Sequence, residues 1–165
     1  MTKNARYNTS VLRNFLWSSI AACLLQALTF VPAVCAQENP PADSRIQVEI
    51  TGLRNDQGKV LCSLYSSSEG FPKEAEKAIA RTSSEISDHR AVCRFTGLGP
   101  GTYAVSVFHD ENSNGKLDTN FMGIPREGVG SSNNVKGHFG PPKFDAAAFR
   151  FPGGRLDLKI TVTYL

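Results

Sequence analysis

What this chain of 165 residues lacks narrows its function before any motif is read. No acidic residue precedes Glu38, so every charge in the first 36 residues is basic. Apolar residues nowhere recur at the three-to-four spacing of a sustained amphipathic helix, which excludes a helical bundle. No basic cluster marks a nucleic-acid interface, so nucleic acid is excluded as a partner. The sequence has no G-x-S-x-G elbow and no H-E-x-x-H pair. It also lacks C-x-x-C, which removes the usual redox dithiol. With 41% hydrophobic and 20% charged residues, the composition is that of a globular domain rather than a disordered or collagenous chain.

Residues 1–13 are polar and basic, and the run from Asn14 to Gln37 carries no charge. Phe15, Leu16, Trp17, Ile20, Leu24, Leu25, Leu28 and Phe30 make that run apolar until Pro32 breaks it. Val34-Cys35-Ala36 then offers a cleavage site, followed by polar Gln37. The order predicts a signal peptide over 1–36 and an exported protein, periplasmic or secreted, with no membrane span in the mature form. An uncleaved anchor is one alternative, because the uncharged run is long enough to span a bilayer. Lipidation at Cys23, within Ile20-Ala21-Ala22-Cys23, is another, although Leu24-Leu25 continues the apolar run where a polar linker belongs. Removing Lys3, Arg6 and Arg13 with the leader leaves 15 basic and 15 acidic residues out of the 18 and 15 in the whole chain. Cys23 and Cys35 leave as well. Cys62 and Cys93 remain, an even number in an exported chain, and are expected to form one disulfide.

Residues 37–44 read as a polar lead-in and 45–165 as a single domain. Within it the dominant period is two. Ile46, Val48 and Ile50 alternate with polar residues, as do Val60, Cys62 and Leu64, and the Asn55–Gly58 turn between them predicts a hairpin. Residues 66–77 form a polar excursion anchored by Phe71-Pro72. A short helical turn over 73–80 and a strand over 78–82 are both open. Ala91, Cys93 and Phe95 mark another strand, on a parity that faces Cys93 toward the same core as Cys62. Tyr103–Phe108 reads as a strong strand, 109–143 as one long loop, 144–151 as a weaker strand, and Leu156 to Tyr164 as the last. About seven short strands separated by turn signals predict an all-β fold, an antiparallel sandwich with one long loop. A loop of that length needs a functional or stabilising reason.

The start of that loop supplies one. In Asp110-Glu111-Asn112-Ser113-Asn114-Gly115-Lys116-Leu117-Asp118, oxygen side chains fall at positions one, three, five and nine, with glycine at six. This is the order of an EF-hand-type calcium loop, in which the seventh residue adds its carbonyl. The expected ligands are Asp110, Asn112, Asn114, the Lys116 carbonyl and Asp118. Position twelve is Phe121, so the bidentate glutamate is missing, and Glu127 is the nearest acidic candidate for a sixth ligand. Glu111 lies between ligand positions and is expected to point outward. Hard oxygens favour calcium over zinc or copper. With two carboxylates in the set, the affinity expected is that of extracellular modules, about 10⁻⁴–10⁻³ M.

H-D-E-N-S-N-G-K-L-D at 109–118, G-I-P-R-E-G at 123–128, S-N-N at 132–134 and F-T-G-L-G-P-G-T-Y-A-V at 95–105 together resemble the exported bacterial family called domain of unknown function 2141. The resemblance covers residues 46–165. It implies an immunoglobulin-like or transthyretin-like (prealbumin-like) β-sandwich and implies no activity. Fold alone says nothing further about function.

Two functional classes follow. The first is a non-enzymatic module of the cell envelope with a calcium-binding loop, whose partner is an envelope protein or a glycan. The second is a periplasmic metal-dependent enzyme using His109 and Asp110, with His138 brought to them in space. His89 stands apart from both. Phe121, Phe139 and Phe144 are candidates for a sugar-binding platform, or for staples that hold the loop to its own sandwich.

Overall fold

Alternation along the strands becomes two faces, and the apolar faces meet. The computed structural model describes residues 44–137 and 140–165. The expected leader, most of the lead-in, the Cys23 alternative, His138 and Phe139 lie outside the described residues.

Strand β1 (Arg45–Thr51) runs between β4 (Ala91–Thr96), antiparallel to it, and β8 (Arg155–Thr161), parallel to it. These three form one sheet. The second sheet runs β3 (Ala80–Ser84), β2 (Lys59–Tyr65), β5 (Gly101–Asp110), β6 (Val129–Ser131), with β7 (Phe149–Phe151) paired to the start of β5. Ile46, Val48 and Ile50 from the first sheet and Val60, Leu64 and Val105 from the second are completely buried between them. The all-β sandwich read from the alternation is therefore the fold, and the disulfide is formed. Cys62 on β2 and Cys93 on β4 are bonded, with Cα atoms 6.5 Å apart, and the bond ties one sheet to the other.

Three local readings of strand and loop are corrected, and one left open is resolved. β1 and β2 do not form a hairpin, because they belong to opposite sheets and Asn55–Gly58 lies in a crossover between sheets. Either arrangement would turn both apolar faces to the one core, and the choice is made by pairing with distant strands, β4 and β8 for β1, β3 and β5 for β2. Residues 66–84 hold both open alternatives in succession, a 3₁₀ turn over Ala75–Lys77 and then β3. Between residues 144 and 151 a single helical turn, α1 (Phe144–Ala147), precedes the short β7. The long loop is shorter than expected, since β5 reaches Asp110 and β6 interrupts the remainder. Phe71 anchors the 66–77 excursion, but not in the core between the sheets, where the sequence alone places it. Its ring packs edge-on against Tyr65 at 5.3 Å and against Phe144 at 5.8 Å, covering the outer side of β2. Among the described residues no helix is long and apolar enough to cross a membrane.

Candidate metal-binding loop

Strand β5 ends in His109 and Asp110, both with no exposed surface. The strand therefore delivers the first expected ligand already fixed in the interior. The next eight residues wrap around that carboxylate. Asp110 Oδ1 accepts the N–H of Asn114 at 2.9 Å and Oδ2 accepts the N–H of Gly115 at 2.9 Å. The chain can curl back this far because Ser113 and Gly115 take left-handed conformations, with φ of 57° and 76°.

The remaining expected ligands converge on the same turn. Asn112 Oδ1 accepts the N–H of Asn114 at 3.1 Å, and Asn114 Oδ1 accepts the N–H of Lys116 at 2.7 Å. Both amide nitrogens then donate to the Asp118 carboxylate, from Asn112 at 2.7 Å and from Asn114 at 3.2 Å. Glu127, 4% exposed, closes the loop from below. Its Oε1 accepts the N–H of Glu111 at 3.0 Å and its Oε2 that of Asp118 at 2.9 Å, so one side chain clamps both ends. Asp110, Asn112, Asn114, Asp118 and Glu127 thus belong to one network. Lys116 joins it through its N–H rather than its carbonyl.

Electrostatically the network is unbalanced. Among the described residues no basic side chain pairs with Asp110, Asp118 or Glu127. Buried carboxylates are normally paired with a cation or bound to a metal. Backbone and amide N–H groups supply partial positive charge here, and carboxylate lone pairs remain to spare. For a cation to sit against Asp118, Asn112 and Asn114 would have to turn their amide planes and present oxygen. Among the described residues no group of three or more His, Cys, Asp and Glu side chains is placed to hold a metal, so any ion here would depend on those amide oxygens.

Glu111 does not point outward. Arg54 grips it with two hydrogen bonds, Nε to Oε1 at 2.5 Å and Nη2 to Oε2 at 2.6 Å, and the guanidinium lies 4.5 Å from the centre of the Tyr164 ring. The Arg54 hydrogen bond holds the Glu111 carboxyl below the usual carboxylate range, with partial burial working against it. Burial holds the Tyr164 hydroxyl above its ordinary value.

His109 is spent on architecture. Nε2 lies 2.7 Å from the Gln57 carbonyl, which can only accept, so Nε2 carries the proton. In the neutral ring Nδ1 then accepts from the Tyr164 hydroxyl at 2.7 Å, and that hydroxyl accepts the N–H of Arg54 at 3.1 Å. Both ring nitrogens are occupied and the side chain is sealed from solvent, so His109 is not free to serve as base or open-site ligand. His89 acts on the same crossover, with Nδ1 3.0 Å from the Leu53 carbonyl. Of the platform residues, Phe144 packs on Phe71 while Phe121 is 96% exposed.

The Arg54 and Tyr164 contributions carry no local sequence signal, because their partners lie 57 and 55 residues away. A family model described as an uncharacterized protein conserved in bacteria, DUF2141, matches residues 48–159, more than half of the chain. No curated protein and no solved structure matches it.

Proposed function

The chain belongs to the bacterial DUF2141 family, and we propose that it is an exported, non-catalytic β-sandwich module of the cell envelope whose loop Asp110–Asp118 binds calcium. The observation that carries this reading is Asp110. It is a fully buried carboxylate at loop position one, held by the N–H groups of positions five and six, with no basic partner among the described residues. Asn112, Asn114 and Asp118 lie within hydrogen-bond reach of one another beside it. The basic start and uncharged apolar run of the first 36 residues support export, as does the inter-sheet disulfide, since disulfides persist in oxidising compartments. The occupied nitrogens of His109 weigh against the metal-dependent enzyme.

A calcium ion would offset the repulsion among the loop carboxylates and stabilise the folded state by mass action, about 1.4 kcal/mol at a tenfold excess over the dissociation constant. Thermal melts with millimolar calcium and with chelator are the test. The melting temperature is expected to rise with calcium by several degrees. Asp110→Ala and Asp118→Ala are each expected to lose most of that increment, whatever they do to the baseline. Glu111→Ala is expected to keep it, because Glu111 is turned toward Arg54. Equal melting temperatures with calcium and with chelator in the unaltered protein would leave the loop as a polar turn closed by its own hydrogen bonds.

A further inference from the structure

Beyond Asp118 the chain forms a second, smaller turn whose side chains are apolar. Phe121 is 96% exposed, Met122 64% and Ile124 40%. The backbone beneath them is held firmly. The Gly123 N–H donates to the Asn120 carbonyl at 2.9 Å and the Asn120 N–H to the Ile124 carbonyl at 2.9 Å. Asn120 Oδ1 accepts from the N–H groups of Met122 and Ile124 at 2.9 and 3.0 Å. Thr119 bridges Pro125, and the Arg126 N–H reaches the Asp118 carbonyl at 2.9 Å. The two central positions of this turn, where small or polar residues usually sit, are therefore occupied by phenylalanine and methionine on a fixed support. A phenylalanine so nearly fully exposed stands clear of the sandwich and contributes nothing to its core.

Within the turn itself, from Thr119 to Arg126, the one charge is basic. Lys116 and Arg126 are exposed and lie before and after it in the chain, and no acidic residue occurs from Thr119 to Arg126. Of the acids at its base, Asp118 is partly buried and accepts hydrogen bonds from the side-chain amides of Asn112 and Asn114. Asp110 and Glu127 are buried, and Glu111 is held by Arg54. We propose that Phe121, Met122 and Ile124 dock into the surface of an anionic phospholipid bilayer, with Lys116 and Arg126 on the headgroup phosphates. The tip protrudes, so it offers no groove to a peptide. A protruding apolar end flanked by cations matches the boundary where acyl chains meet anionic headgroups. This inference does not rest on the calcium reading of the neighbouring loop.

The test uses the compact unit Glu38–Leu165, which holds every strand and every core side chain described above. It is sedimented with extruded phosphatidylglycerol–phosphatidylethanolamine vesicles and with phosphatidylcholine vesicles, in calcium and in chelator. Preferential binding to the anionic vesicles is expected in at least one buffer. Phe121→Ser/Met122→Ser is expected to weaken it at least tenfold, and Lys116→Gln/Arg126→Gln to remove the preference for anionic lipid. All four positions are exposed, so an unchanged melting temperature checks that the variants fold. The single tryptophan of the chain is Trp17, outside this unit, so Phe121→Trp makes a lone reporter. Its emission should shift to the blue on anionic vesicles and be quenched by brominated acyl chains. Absence of vesicle binding in both buffers, or binding that the serine variant retains in full, overturns the proposal and leaves a protein pocket as the occupant of the tip.

Discussion

Glu111 shows how one residue can be misread from spacing and understood from its partner. Alternation of ligand and non-ligand positions predicts that it faces solvent. Instead it joins the calcium-like loop to the crossover between sheets through a two-pronged contact with Arg54, itself stacked on Tyr164. Nothing near Glu111 in the sequence announces Arg54, whereas the spacing of Asp110, Asn112, Asn114 and Asp118 was legible because those contacts are local. The pair makes a prediction with a definite sign. Arg54 holds the Glu111 carboxyl below its ordinary value, so the ionised form favours the folded state. The contribution is fully present above the unfolded carboxyl value, 4.5 for a free glutamate, and is lost as pH falls through the lower folded value. Arg54 is half exposed, so solvent screens the pair and its worth at neutral pH is that of a good surface bridge, about 0.5–1 kcal/mol. Glu111→Gln is expected to lower stability by that amount at pH 7 in urea titrations. The difference from the unaltered protein should shrink toward zero as the pH is taken below the folded carboxyl value. A difference that persists undiminished in acid would assign the loss to packing rather than charge.

At the scale of elements, the crossover over residues 52–58 connects the sheets and also seats the loop. His89 and His109 bond its carbonyls at Leu53 and Gln57, and Gly58 packs against the backbone of Asp110. The glycine has a φ of 67°, and an added Cβ would run into the Asp110 and Glu111 carbonyls. The turn itself was legible, because Asn-Asp-Gln-Gly between two alternating strands can only reverse the chain. Whether the reversal stays in one sheet or passes to the other was not, since turn residues fix local dihedrals and the choice of sheet depends on partners far away. β1 illustrates the point, because its parallel neighbour β8 begins at Arg155. Gly58→Ala is therefore expected to act at a distance. It should destabilise the fold by more than about 1 kcal/mol, as alanine does where the native φ is positive, and should also reduce any calcium-dependent rise in melting temperature although residue 58 is no ligand. Gly115→Ala separates the two effects. Space around Gly115 is open, so only its φ of 76° is penalised. A Gly58→Ala protein with normal stability and a full calcium response would disconnect the crossover from the loop.

For the molecule as a whole, two thin sheets share one core, and their covalent link among the described residues is Cys62–Cys93. Parity alone placed both sulfurs on the core side, because an apolar partner two residues away on each strand fixes which face is buried. Cys62 sits on β2 opposite Val107 of β5, and Cys93 on β4 opposite Val48 of β1, so the bond joins the central strand of each sheet or its immediate neighbour. The cysteines are 31 residues apart in the chain. Closing a loop of that span restricts the unfolded chain and is worth about 3–4 kcal/mol on the chain-entropy account. That is a large share of the 5–15 kcal/mol that holds a typical domain. Two experiments divide the contribution. Reduction leaves both sulfurs in place as buried thiols and removes only the constraint, whereas Cys62→Ala/Cys93→Ala removes the constraint and also empties volume at two sites that are 1% and 0% exposed. Urea unfolding of the reduced protein is expected to fall short of the oxidised form by about 3–4 kcal/mol, and the double alanine variant should fall further, because the emptied volume adds a cavity penalty. A loss below about 1 kcal/mol on reduction would mean that the shared core alone holds the sheets together.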